Sequence, residues 1–113
     1  MARFTDGYHL FADSGEHWVH VYLYRHRTAA GADRLARSFW KRRDSGGSRF
    51  AVHEIPGARG SVNRPSYARA VVRFTVGNVY AEVFANTNTS KADTKVATEL
   101  AKKQYRKLTA ALS

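Results

Sequence analysis

A chain of 113 residues has the size of one ordinary domain, able to bury about two-thirds of its unfolded surface around a single core. Having no cysteine, it excludes disulfides, thiolate chemistry and zinc sites built on Cys ligands. Nineteen Lys and Arg against nine Asp and Glu give a formal net charge of +10, which favours anionic partners, and no apolar run approaches the ~18–20 residues that would span a bilayer as a helix.

The first residues, Met1 to Gly7, show no apolar leader core. The expectation is a cytoplasmic protein or, if a leader has been removed, one of the cell envelope. Residues 1 to 16 set Phe4, Tyr8, Leu10 and Phe11 between Asp6-Gly7 and Asp13-Ser14-Gly15, a strand-like piece suited to an edge or a covering arm. From Trp18 to His26 strict alternation puts Val19, Val21 and Leu23 on one face and Trp18, His20, Tyr22, Tyr24 and His26 on the other.

Thr28 stands where an N-cap would open a helix over about Ala29 to Arg43, although Gly31 could delay its start to Ala32. Ala32, Leu35, Ala36, Phe39 and Trp40 form its apolar stripe, and Arg34, Arg37, Lys41 and Arg42 its basic face. A second strand is predicted over Arg49 to Ile55. Ala58 to Ser66 reads as a long loop.

Tyr67 to Val76 and Val79 to Asn86 flank Gly77-Asn78, which suits a hairpin with a type II′ turn. Ala70, Val72, Phe74 and Val76 face one way, and Val71, Arg73 and Thr75 the other. Ser90 with Asp93 is a variant capping box for a last helix over about Lys91 to Ala111, with Val96, Ala97, Leu100, Ala101, Gln104 and Leu108 as its inner stripe. The expected fold is a single α+β domain over residues 1–113. It has the order β-α-β-β-β-α with an optional leading strand, giving an antiparallel sheet of four to five strands and two helices packed on one face.

Under that arrangement His20, Tyr22, Tyr24, Arg73, Tyr80 and Phe84 share an open aromatic and basic sheet face. Three readings compete for it: a stacking platform for a ligand or single-stranded nucleic acid, a seat for a protein partner or a second copy, and plain cross-strand aromatic pairing. Replacing Tyr22 and Tyr80 together by alanine is expected to abolish binding and spare the fold, unless the pairing is purely structural. Catalysis, as in a small ribonuclease-like toxin using His20, His26 or His53 with Arg73 and Tyr80, has no paired carboxylates, nucleophile elbow or phosphate loop behind it. His20 and His26 lie about 20 Å apart along a strand, too far to share a metal ion. No cofactor is called for, and Asn88-Thr89-Ser90 matches a glycosylation acceptor only as three-residue patterns often do.

The run Tyr-Leu-Tyr-Arg-His-Arg into Thr-Ala-Ala-Gly-Ala-Asp, the Ile-Pro-Gly-Ala segment, the hairpin Arg-Phe-Thr-Val-Gly-Asn-Val-Tyr-Ala-Glu-Val and the helical Glu-Leu-Ala-Lys-Lys-Gln carry a resemblance over most of the chain from about Val19 onward. Together they resemble small repeat units of actinobacterial envelope lipoproteins and the extracellular sensor domains of actinobacterial Ser/Thr kinases. The resemblance implies an extracytoplasmic ligand-binding or protein-interaction module, with no catalytic residues to transfer. A lipobox cysteine and the disulfides of the kinase sensors are both missing. The reading drawn from the sequence is a non-catalytic binding or assembly module that uses the aromatic-basic face to bind a protein partner or ligand. Its alternative is a polyanion- or RNA-binding domain that adds Arg34, Arg37, Lys41 and Arg42 of the first helix.

Overall fold

Alternation with a period of two dominates the chain and builds the sheet around which everything else is placed. The computed structural model describes residues 4–13, 17–43, 48–63, 68–87 and 94–112, without the side chains of 4–13, 17, 39–43 and 63. The elements are β1 (Phe4–Asp13), β2 (His17–His26), α1 (Ala29–Arg43), β3 (Ser48–Phe50), β4 (Arg59–Asn63), β5 (Ala68–Val76), β6 (Val79–Thr87) and α2 (Thr94–Leu112). The strands form one antiparallel sheet in the order β1-β2-β6-β5-β4-β3. The leading piece is thus an edge strand, paired to β2.

The local signals hold where backbone chemistry is strongest. Thr28 Oγ1 accepts from the Gly31 backbone N–H at 3.0 Å, so the N-cap fixes the start of α1 at Ala29 despite the glycine. Gly77 alone of the hairpin's two turn residues has a positive φ, +56°, as a type II′ turn requires. The predicted cap at Ser90 and Asp93 lies outside the described residues.

Two sequence expectations are corrected. The stretch from Arg49 to Ile55 contains only the short β3 and then turns, with Val52 and Ile55 plugged into the core, while the predicted loop from 58 to 66 contains β4. Little apolar content hid β4, because its neighbours supply the covering groups. Gly60 pairs with Phe50 and lies under its ring, so a Cβ there would come within 2.5 Å of ring carbons. Gly60→Ala is therefore expected to cost about 1–3 kcal/mol by overpacking, read as a lower urea midpoint at constant m-value. An unchanged midpoint would show that the ring is not confined.

The second correction concerns the helices, which cover opposite faces of the sheet rather than one. Both lie across β5 and β6. The core built on Val21, Val72, Phe74, Ala81 and Val83 takes in Ala97, Leu100, Ala101, Tyr105 and Leu108 of α2 but no described residue of α1. Asp33 of α1 instead accepts a hydrogen bond from Thr75 Oγ1 at 3.0 Å, and Thr75 points away from that core. The reason lies in the central strands. Val71, Tyr80 and Phe84 are as large and as apolar as the residues behind them, so β5 and β6 need cover on both faces, and β6 is buried along its whole length. Val96, expected on the inner stripe of α2, is 41% exposed, and Tyr105 packs edge-on against Phe74 in the core.

Candidate binding cavities on the aromatic face

Strand register decides which side chains meet on the face that α1 partly covers. Residues directly opposite in the ladder point the same way, so four rungs cross it. Tyr24, Tyr80 and Thr75 form one, and Tyr22, Glu82, Arg73 and Arg59 the next. His20, Phe84, Val71 and Ser61 form the third, followed by Trp18, Asn86 and Arg69. The six residues expected on this face are there. It is aromatic and charged as predicted, but it is not open: Tyr80, Arg73, Glu82 and Phe84 are all buried.

The rings are arranged on one another. Tyr22 stands between His20, at 5.9 Å and 9° between planes, and Tyr24, at 6.3 Å and 5°. Tyr24 stacks on Tyr80 at 6.0 Å, and Phe84 meets Tyr22 edge-on at 5.6 Å. Such offset and T-shaped contacts satisfy the ring quadrupoles internally. What the ladder offers a ligand is therefore ring edges with their hydroxyl and imidazole groups, more than bare ring faces.

Two cavities flank this ladder. The first, of about 250 Å³, is lined by His20, Tyr22, Tyr24 and Phe84 together with Arg69, Glu82 and Asn86. Arg69 Nε donates to Asn86 Oδ1 at 3.1 Å, and the guanidinium lies over the Phe84 ring with 5.2 Å from Cζ to the ring centroid. These contacts hold the charge at the cavity wall with little freedom left to lose.

Of the predicted site residues, the cavity gathers His20, Tyr22, Tyr24 and Phe84. Arg73 and Tyr80 fall outside it. Arg69 and Asn86 are the lining residues that the sequence reading passed over. Counting back from the two-residue turn would have found them, since that register sets Arg73 opposite Glu82 and Arg69 opposite Asn86.

The second cavity, of about 200 Å³, lies between α1 and the outer strands and is lined in part by Arg37, Arg59, Arg73, Asp33 and Thr75. A buried ion pair separates the two. Arg73 Nε donates to Glu82 Oε2 at 2.9 Å, the side chains being 3% and 1% exposed. Arg73 lines one cavity and Glu82 the other. Of the basic face expected on α1, Arg34 and Arg37 are exposed, and the side chains of Lys41 and Arg42 lie outside the described residues. Among the described residues, no cluster of His, Asp and Glu is arranged to hold a metal ion, and no helix is long and apolar enough to cross a membrane.

No protein-family model matches the chain, and no curated protein matches it. Among solved structures it is similar to the extracellular domain of PknH from Mycobacterium tuberculosis, with a TM-score of 0.69 at 16% sequence identity. The match covers 93% of this chain and 64% of that one, so the chain spans less than two-thirds of that structure. The likeness is one of fold, and it agrees with the resemblance to extracellular sensor-type domains.

Proposed function

We propose that the chain is a non-catalytic binding module of the cell envelope that takes a small polar ligand in the cavity beside His20, Tyr22, Tyr24, Arg69 and Asn86. One observation carries this reading: beside the aromatic ladder lies a half-open recess of about 250 Å³ with oriented polar groups on its wall. That volume lies just below the ~300–1,000 Å³ of common ligand pockets, which suits a small ligand, and fixed polar groups are how such sites set orientation. The fold shared with the extracellular domain of PknH supports the placement outside the cytoplasm.

The non-catalytic reading follows from the same residues. Glu82 is the one carboxylate among the described lining residues, and it is committed to Arg73. Among the described lining residues there is no second carboxylate beside it to make the paired groups of general acid and base chemistry. The RNA-binding alternative requires ring faces on which bases stack, whereas here Tyr22 is already sandwiched between His20 and Tyr24.

Protein-observed NMR with a library of small polar compounds tests the proposal. Binders are expected to shift the signals of Tyr22, Tyr24 and Asn86 together. Arg69→Ala is expected to weaken them about tenfold or more, the loss of one charge-assisted hydrogen bond. Binders that map elsewhere, or that bind Arg69→Ala equally well, would sink it.

A further inference from the structure

We infer that the second cavity, between α1 and strands β4 and β5, is a binding site for a phosphate group. Three arginines from three separate elements line it: Arg37 from α1, Arg59 from β4 and Arg73 from β5. Arg59 and Arg73 stand directly opposite each other in the ladder, so their side chains leave the same face of the sheet. Arg37, one helical turn after Asp33, comes down on the same cavity from above.

The surrounding groups suit an anion held by arginine. Glu82 takes the Arg73 Nε–H from the side of the other cavity, which fixes the plane of that guanidinium at 3% exposure. Asp33, the one carboxylate among the described lining residues, accepts from the Thr75 hydroxyl at 3.0 Å. A phosphate between the three arginines would be held by charge-assisted hydrogen bonds, for which the planar, forked guanidinium is the best donor. The exposed Arg34 does not line the cavity. Of the described arginines on the basic side of α1, Arg37 therefore belongs to this site and Arg34 does not.

The inference goes beyond the ligand site proposed above, and it stands or falls separately, because the two cavities share no described lining residue. The probe is inorganic phosphate, titrated into the full chain at constant ionic strength and followed by the side-chain Nε–H signals of the arginines and by the unfolding temperature. Phosphate is expected to shift Arg37, Arg59 and Arg73 and to raise the unfolding temperature, because a ligand that binds only the folded state stabilises it by mass action. Arg37→Gln and Arg59→Gln are each expected to lose about tenfold in affinity, and Arg34→Gln is expected to lose nothing.

Glycerol 3-phosphate and vesicles containing phosphatidic acid then separate a soluble phosphate monoester from a lipid headgroup as the source, and binding of either through Arg37 and Arg59 upholds the site. Equal responses to chloride and phosphate, or equal loss in Arg34→Gln and Arg37→Gln, would reduce the effect to screening of a basic surface and overturn the inference.

Discussion

Glu82→Ala is expected to cost about 3–5 kcal/mol of folding stability, because it leaves a guanidinium buried without its counter-charge. Arg73 cannot escape by losing its proton, since an arginine stays charged at any accessible pH. Nor can it easily swing to solvent, being 3% exposed beneath α1 with Glu82 as its partner at 2.9 Å. Its neighbour on the other strand is Arg59, so removing Glu82 also leaves two cations opposite each other on the ladder.

A second variant separates these contributions. Adding Arg59→Gln to Glu82→Ala is expected to recover part of the loss by removing the like charge, about 0.2–1 kcal/mol by the scale of cross-strand pairs. Replacing both partners of the ion pair, as Arg73→Met with Glu82→Leu, is expected to recover most of it, because a well-packed apolar pair carries no desolvation penalty. Urea unfolding midpoints at constant m-value read all three. A Glu82→Ala variant within about 1 kcal/mol of the parent, the range of an exposed pair, would mean that water reaches Arg73 and that the pair is not buried in solution.

The residues of this pair also show where the sequence was readable and where it was not. Period-two alternation assigned the side chains from Trp18 to Tyr24 to their faces, because strand geometry allows only two faces. Gly77 specified the hairpin, since a type II′ turn needs a positive φ at that residue, and the turn in turn sets the register that joins Arg73 to Glu82. What alternation cannot supply is which face water reaches. Tyrosine and arginine serve equally on a wetted sheet face and beneath a helix, provided their polar ends find partners. The stripe of α1 around Ala32 says that the helix needs a sheet and not which side it takes. β4 was hidden for a related reason: Gly60 and Ser61 have little propensity for strands, and their place is set by Phe50 and by pairing with β5.

Tyr80→Ala is expected to cost about 3–5 kcal/mol, the range for deleting a large ring from a core. The ring is fully buried, with Thr75 and Tyr24 opposite it on the two neighbouring strands and α1 above its face of the sheet. Truncation would leave a void in the middle of a three-layer packing, where neither the sheet nor the helix can close without breaking other contacts. The double replacement of Tyr22 and Tyr80, expected from the sequence to abolish binding and spare the fold, would therefore lose binding through unfolding and decide nothing. The informative comparison is between the two single variants. Tyr22 is only partly buried and lines the 250 Å³ cavity, so Tyr22→Ala is expected to keep the chain folded and to weaken cavity binders. Tyr80→Ala is expected to shift the unfolding midpoint and, where it remains folded at low temperature, to bind them still. If Tyr80→Ala were as stable as Tyr22→Ala, α1 could not be packed over this face, and the aromatic face would be open to solvent after all.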